Sequence, residues 1–171
     1  GKIKPKEITF EITEKPIHER FMAIDITPET IKGFKLRVGE GLAGQGAEVA
    51  HIDLLIGNKD GPVAQAFARA KAAPTPGHEP LLAILEPNLS VKPDTLIVPT
   101  VKITGMRQAS MVFGPAQTAV AKAVVDSVAD GTIPKPAVDE LLIIANVFVH
   151  PSAIDRQRVY INNYKAMRHA I

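Results

Sequence analysis

Two apolar segments of strand length constrain the fold of this chain more than any other feature. Residues 49–56 and 141–149 are almost entirely apolar. Both are far shorter than the roughly 18 apolar residues that a membrane-spanning helix requires, so neither predicts a membrane span. Their length and composition are typical of buried strands instead. The sequence therefore predicts a globular protein with a buried sheet at its centre.

Shorter strand patterns and helix patterns occupy the rest of the main domain. Helices are predicted to open at Pro62 and at Pro115, because proline suits the first helical turn and cannot donate the hydrogen bond of a helix interior. A last helix is predicted over residues 154–171, and further strands over residues 34–38, 81–85 and 96–98. Strands and helices alternate irregularly, and the apolar helix faces can cover one side of a sheet. We therefore predict an α+β fold, a two-layer sandwich.

The N-terminal segment, residues 1–33, differs in pattern from the main domain, residues 34–171. Apolar and polar residues alternate over residues 8–13 and again over residues 22–27, which is typical of half-buried strands. Thr27 then precedes a proline, as at the start of a helix. We interpret residues 1–33 as an extension that packs onto the main domain.

The composition excludes several classes of site. The 171 residues contain no cysteine, which excludes disulfides, thiolate metal sites and a catalytic thiol. The formal net charge of +2 gives no overall electrostatic basis for binding nucleic acid or an anionic membrane. The five histidines lack the spacing of metal ligands, so no metal site is predicted. We expect a cytoplasmic protein, with export as the alternative if a segment upstream of Gly1 was removed.

Two polar residues interrupt the first apolar segment. His51 and Asp53 are two positions apart, and side chains two apart on a strand lie on the same face. Histidine titrates near neutral pH and therefore suits general acid or base catalysis. Within an apolar strand, such a pair is either a hydrogen-bonded structural pair or a functional site. The pattern alone leaves both interpretations open.

The segment before this strand matches a phosphate-binding pattern without its context. Residues 39–44 fit G-x-G-x-x-G. The dinucleotide-binding motif requires a helix directly afterwards, whereas an apolar strand follows here. We therefore predict that these glycines serve a turn or allow another backbone to approach closely.

Several polar residues in the middle of the chain are candidates for ligand contacts. Lys92, Lys102 and Arg107 could receive an anionic ligand, and solvated surface positions are the alternative. Gln117 falls in the first turn of a predicted helix, where its amide could hydrogen-bond a heterocycle or face water.

The order of several short blocks resembles the formaldehyde-activating enzyme family. The resemblance extends over residues 35–171, and the matching blocks occur at residues 38–42, 48–54, 87–89, 92–96, 107–109, 113–117 and 146–150. It implies a fold similar to domain 2 of ribosomal protein S5 and a homopentamer with its binding cleft between subunits. It also implies condensation of formaldehyde with tetrahydromethanopterin, a co-substrate, without a metal or a permanently bound cofactor.

The resemblance also assigns roles to particular positions. It implies that His51 is the general acid, and that Asp53, Leu82 and Gln117 contact the pterin. At two further pterin-contacting positions the family usually has lysine and then threonine, whereas this chain has Thr100 and then Lys102. This exchange, together with the extension, motivates the alternative of a non-catalytic paralogue that binds a pterin or formaldehyde adduct as a sensor or carrier. Nucleic-acid binding through an S5-like fold rests on analogy alone, and the near-neutral charge argues against it.

Overall fold

The computed structural model of this chain describes residues 6–7 and 35–171. The strands and the helix start predicted within residues 8–33 lie outside the described residues. Within the extension, Lys6–Glu7 forms a short strand that pairs antiparallel with the start of the main domain. The proposed packing of the whole extension therefore stays a prediction.

Strands and helices alternate irregularly, as the sequence predicted. The strands are β1 (Lys6–Glu7), β2 (Lys35–Ala43), β3 (Ala50–Asn58), β4 (Leu81–Leu82), β5 (Ile84–Glu86), β6 (Leu89–Ser90), β7 (Asp94–Pro99) and β8 (Leu141–Phe148). The helices are α1 (Pro62–Ala72), α2 (Met106–Met111), α3 (Gln117–Ala129) and α4 (Arg156–Ala170). The α+β class is confirmed. Among the described residues, no helix has the length and apolar composition needed to cross a membrane.

The two apolar segments form the neighbouring strands β3 and β8 in the middle of the main sheet. The strand order is β1-β2-β3-β8-β7-β4, and the pairs are antiparallel except for the parallel pair β7 and β8. Strands β5 and β6 form a separate hairpin. Ile52 and Leu55 of β3, and Ile144 of β8, are almost completely buried. Burial from both faces explains why these strands are almost entirely apolar.

Helices cover the two faces of the sheet unequally. On one face, Ile52, Leu54 and Ile56 of β3 pack in a core with residues of α3 and α4. On the opposite face, Leu55 belongs to a smaller core with Phe67 and neighbouring residues of α1. Helix α1 therefore adds a partial third layer to the predicted sandwich. The likeness to ribosomal protein S5 domain 2 stays a prediction.

The glycines of β2 allow helix α4 to lie against the sheet backbone. A Cβ atom added to Gly39 would lie 1.8 Å from the carbonyl oxygen of Ala170. One added to Gly41 would lie 1.7 Å from the carbonyl oxygen of Ala166. Real Cβ atoms do not come so close to a backbone oxygen, so only glycine permits this packing. The predicted close approach of another backbone is confirmed.

The prediction that a helix begins at Pro115 is wrong. Helix α2 begins nine positions earlier at Met106, and the π-helical segment Val112–Ala116 joins it to α3 with Pro115 inside. Proline disrupts a regular helix because it lacks the N–H group and its ring clashes with the preceding turn. The wider π-helical turn accommodates the proline, and the chain continues as a helix.

A polar network connects α3 to α4 outside the core. The hydroxyl of Tyr164 donates to the carboxylate of Asp126 over 2.5 Å, and Lys122 contacts the same side chain over 2.9 Å. The hydrogen bond from Tyr164, and then that from Lys122, lowers the pKa of the Asp126 carboxyl. Arg168 binds Asp130 in the same way over 2.7 Å. Hydrogen bonds to ionised groups are stronger than neutral ones, so this network stabilises the helix pair.

We expect Tyr164→Phe to lower the free energy of unfolding by about 1 kcal/mol at pH 7, because a partly exposed hydrogen bond to a carboxylate is lost. Because the pKa of Asp126 is lower in the folded state, its carboxylate stabilises the fold at pH values above the pKa of the unfolded state. This stabilisation is lost as the pH falls through the pKa of the folded state. The difference from wild type should therefore shrink between pH 7 and pH 3. Urea unfolding at both pH values, at one protein concentration, measures this. Tyr160→Phe, one turn earlier on α4, is the control; an equal loss there would contradict the assignment.

Candidate active site

One end of the α1-facing side of the sheet is partly open: Glu40 and Leu42 are exposed there, whereas Asp53 and Asn146 are buried. Helix α1 covers the rows that contain Leu36, Leu55 and Ile144. Beyond α1, Asp53 lies between Glu40 on β2 and Asn146 on β8, which are directly opposite it. Two positions further along the strand, His51 lies between Leu42 and Phe148 in the same way. All six side chains share one face, because directly opposed residues on paired strands do so and residues two apart on one strand do so as well. We call these six residues the open face.

His51 lies between two carboxylates on this face. Its Nε2 atom is 3.0 Å from Oε2 of Glu40 on β2 and 3.9 Å from Oδ2 of Asp53 on its own strand. The side chain of His51 is 36% exposed and that of Glu40 58% exposed, whereas that of Asp53 is only 7% exposed. The imidazole and the Glu40 carboxylate can therefore contact a molecule that enters from solvent. The Asp53 carboxylate is buried beside the imidazole.

Apolar side chains border the polar group. A shallow depression is lined by Leu42, Val49 and Phe148 together with Glu40 and His51. Leu42 is 67% exposed, which is unusual for a leucine on a strand. A polar centre with apolar walls suits a flat heterocycle that has both apolar faces and hydrogen-bonding edges.

The same three side chains could hold a metal ion. One ligand atom each from Glu40, His51 and Asp53 lie within 4.8 Å of one another. Imidazole and carboxylate groups are ligands for zinc and other divalent transition metals. The sequence did not indicate this grouping, because Glu40 and His51 are eleven positions apart and meet only through strand pairing.

Thr100 lies at the margin of the open face. Its N–H donates to the carbonyl of Val147 over 2.9 Å, immediately after the parallel pairing of Pro99 with Val147. This places Thr100 beside Phe148, which pairs with His51, so Thr100 and His51 are two strand spacings apart, or about 10 Å. The structure therefore brings His51, Asp53 and Thr100 to one side of the molecule.

Lys102 occupies a different environment. Its side chain lies so close to Gly77 that a Cβ atom there would be 2.2 Å from Cγ of Lys102. In the same loop, the Gly77 N–H donates to Glu79 over 3.1 Å and is the main cause that lowers the pKa of the Glu79 carboxyl; Lys102 adds a smaller effect. Lys102 thus lies in the segment between β7 and α2, with its side chain packed against the loop before β4.

Leu82 and Gln117 lie at the β4 edge of the sheet, away from the open face. Half-buried Leu82 pairs with Leu96 and packs beside α1. The side chain of Gln117 accepts from the N–H of Ile84 over 3.0 Å and donates to its carbonyl over 3.1 Å. Since β4 lies three strands from β3, this group is about 14 Å or more from His51. One chain does not bring all the predicted site residues together.

The comparisons with known proteins match the main domain. A family model described as formaldehyde-activating enzyme (Fae) matches residues 38–171. A 5,6,7,8-tetrahydromethanopterin hydro-lyase of Methanosarcina barkeri is 54% identical over 137 residues, 80% of this chain and 77% of that protein. Bifunctional enzymes Fae/Hps of Methanosarcina mazei and Methanothrix thermoacetophila are 54% and 56% identical over 135 and 134 residues, 79% and 78% of this chain. The chain spans about a third of the length of these bifunctional enzymes, 34% of each. This chain belongs to the formaldehyde-activating enzyme family.

Proposed function

We propose that this chain condenses formaldehyde with tetrahydromethanopterin, giving methylene-tetrahydromethanopterin and water, with His51 as the general acid. The observation that supports the proposal most is a partly exposed imidazole between two carboxylates on the open face, bordered by the apolar side chains of Leu42 and Phe148. It occurs in a chain that is 54% identical to a protein named tetrahydromethanopterin hydro-lyase. We also propose a cytoplasmic location.

The reaction requires a proton donor at one step. An amine of the pterin attacks the carbonyl carbon of formaldehyde and forms a hydroxymethyl adduct. Hydroxide leaves poorly from this adduct at neutral pH, whereas a proton delivered to its oxygen lets water leave and produces an iminium ion. His51 delivers that proton, which is worth about 10²–10⁴-fold in rate for a positioned general acid. The second amine then attacks the methylene carbon and closes the ring.

The buried carboxylate of Asp53 suits the cationic intermediate. Its side chain is 7% exposed and lies 3.9 Å from the imidazole, on the same face. A negative charge beneath the reacting carbon stabilises an iminium ion more strongly than it would in water, because the surroundings screen it less. We propose that Asp53 also contacts the pterin.

The separation of the site residues favours a composite site between two copies of the chain. Gln117 and Leu82 lie about 14 Å or more from His51 within one chain, because three strand spacings separate β3 from β4. In a homopentamer, the open face of one subunit would meet the β4 edge of the next, so that Leu82, Thr100, Lys102 and Gln117 could all contribute to pterin binding. Sedimentation equilibrium tests this, and a monomer under assay conditions would exclude a composite site.

An assay of the wild-type protein tests the function. Protein, formaldehyde and tetrahydromethanopterin are mixed, and methylene-tetrahydromethanopterin is followed by absorbance, with tetrahydrofolate as the comparison pterin. We expect acceleration well above the spontaneous reaction, and a preference for tetrahydromethanopterin. Pterin binding by calorimetry without acceleration would instead support a non-catalytic sensor or carrier, which the unusual order of Thr100 and Lys102 motivates.

A further inference from the structure

The condensation moves two protons in opposite directions. One proton is given to the hydroxyl group when water leaves, and one is released from the second amine when it attacks the iminium carbon. The overall reaction consumes no net proton. After each turnover the acid must therefore be reloaded, and the released proton is sufficient to reload it.

Two carboxylates lie beside the imidazole, and they differ in access. The Glu40 side chain is 58% exposed with Oε2 at 3.0 Å from Nε2 of His51, which is hydrogen-bonding distance. The Asp53 side chain is 7% exposed, and its oxygen at 3.9 Å is beyond that distance. Of these two carboxylates, only that of Glu40 is both exposed to solvent and within hydrogen-bonding distance of His51.

Strand pairing fixes Glu40 in this position. Glu40 lies opposite Asp53, and its neighbour on the same face, Leu42, lies opposite His51. On the other face of β2, Gly39 and Gly41 lie against α4, so the strand that presents Glu40 is clamped between β3 and a helix. A carboxylate held at a fixed site beside the acid needs no rearrangement to take up a proton.

From this geometry we propose that Glu40 is a second catalytic residue, which takes the proton from the second pterin amine and returns it to His51. The proposal rests on the proposed function. In the step, the amine lone pair bonds to the methylene carbon and the carbon–nitrogen π electrons return to the first nitrogen. The N–H proton passes to the Glu40 carboxylate, and then along the 3.0 Å contact to the neutral imidazole. The carboxylate and the imidazolium are thereby both restored.

Glu40→Gln tests this proposal, because glutamine can still accept a hydrogen bond from His51 but cannot carry a proton at neutral pH. We expect kcat to fall by about 10²-fold, with less than about a twofold change in the KM for the pterin. In Glu40→Ala, added formate or acetate should restore part of kcat, and the restored rate should increase with the basicity of the carboxylate added. The control is Glu140→Gln, an exposed glutamate roughly 27 Å along β3 and β8 from His51, which should keep the wild-type rate.

The outcomes separate this proposal from the proposed function. Wild-type kcat in Glu40→Gln, while His51→Ala is impaired, would overturn the role of Glu40 and leave the function intact. A fall in kcat that carboxylates do not restore would also overturn it, and would indicate that Glu40 only positions His51. A wild-type protein no faster than the spontaneous reaction would remove both proposals. Circular dichroism checks that the variants are folded, as the exposure of Glu40 leads us to expect.

Discussion

His51→Ala is expected to lower kcat for methylene-tetrahydromethanopterin formation by about 10²-fold or more, the typical contribution of a positioned general acid. The remaining rate should stay above the spontaneous one, because the binding and orientation of both reactants persist. Stopped-flow absorbance with saturating pterin measures kcat directly. His51→Gln should be similarly impaired, since glutamine can hydrogen-bond to Glu40 but has no proton to deliver at neutral pH.

The control for this prediction is His169→Ala. His169 is an exposed histidine in the last turn of α4, on an element that packs on the opposite side of the sheet from the open face. It should keep the wild-type kcat. An unimpaired His51→Ala would remove His51 as the acid.

Stability distinguishes the catalytic interpretation of His51 from the structural one. A structural histidine that satisfies a buried partner is costly to remove, because the partner is left without a hydrogen bond. The carboxylate within hydrogen-bonding distance of His51 is that of the exposed Glu40, so water can replace the imidazole there. We therefore attribute the effect of His51→Ala to catalysis only if its free energy of unfolding stays within about 1 kcal/mol of wild type.

The central part of the fold could be predicted because its signals are local. The segments that form β3 and β8 have the length of a strand and an almost entirely apolar composition. Together these two properties are typical of a buried strand. Period-two geometry alone places His51 and Asp53 on one face, and the structure agrees. The missing helix after the glycine-rich segment likewise argued against a dinucleotide loop, and all but the last residue of the pattern lies in β2.

The rest depends on tertiary structure and could not be predicted locally. Glu40 joins His51 only because β2 and β3 pair in one register, and a shift of one residue would turn Glu40 to the helix side. Pro115 correctly indicated a position that does not fit inside a regular α-helix. The chain stays helical there nevertheless, because the segment around Pro115 forms a π-helical turn. The bidentate contact of Gln117 with the backbone of Ile84 joins a helix to a strand that is 33 positions away.

The resemblance to the formaldehyde-activating enzymes supplied what neither pattern nor periodicity contains. Local reasoning left His51 either structural or functional, and the family match over residues 38–171 is the reason why we propose the functional alternative. The structure adds a condition to it. His51 and Gln117 lie on different parts of one chain, so a site that uses both requires a second copy.

Gly41→Ala is expected to have the largest effect on folding. The added methyl would lie 1.7 Å from the carbonyl oxygen of Ala166 and 2.6 Å from its carbonyl carbon. These are backbone atoms of α4, so no side-chain rotation relieves the overlap, and the helix must move away from the sheet. Ala166, Met167 and Ala170 of α4 are buried against that sheet and would lose contacts. Overpacking costs about 1–3 kcal/mol where side chains can adjust; here we expect more than about 3 kcal/mol.

Thermal unfolding measures this effect against a matched control. A loss of more than about 3 kcal/mol corresponds to a fall in Tm of about 10 °C for a chain of this size, or to a failure to accumulate as folded protein. Gly105→Ala is the control, because a Cβ atom there meets nothing within 4 Å and its φ of −132° suits any residue. It should cost less than about 1 kcal/mol. Equal Tm values for the two variants would mean that α4 does not lie on the backbone of β2. The clamp that holds Glu40 beside His51 would then also be absent, so this stability measurement bears directly on the proposed site.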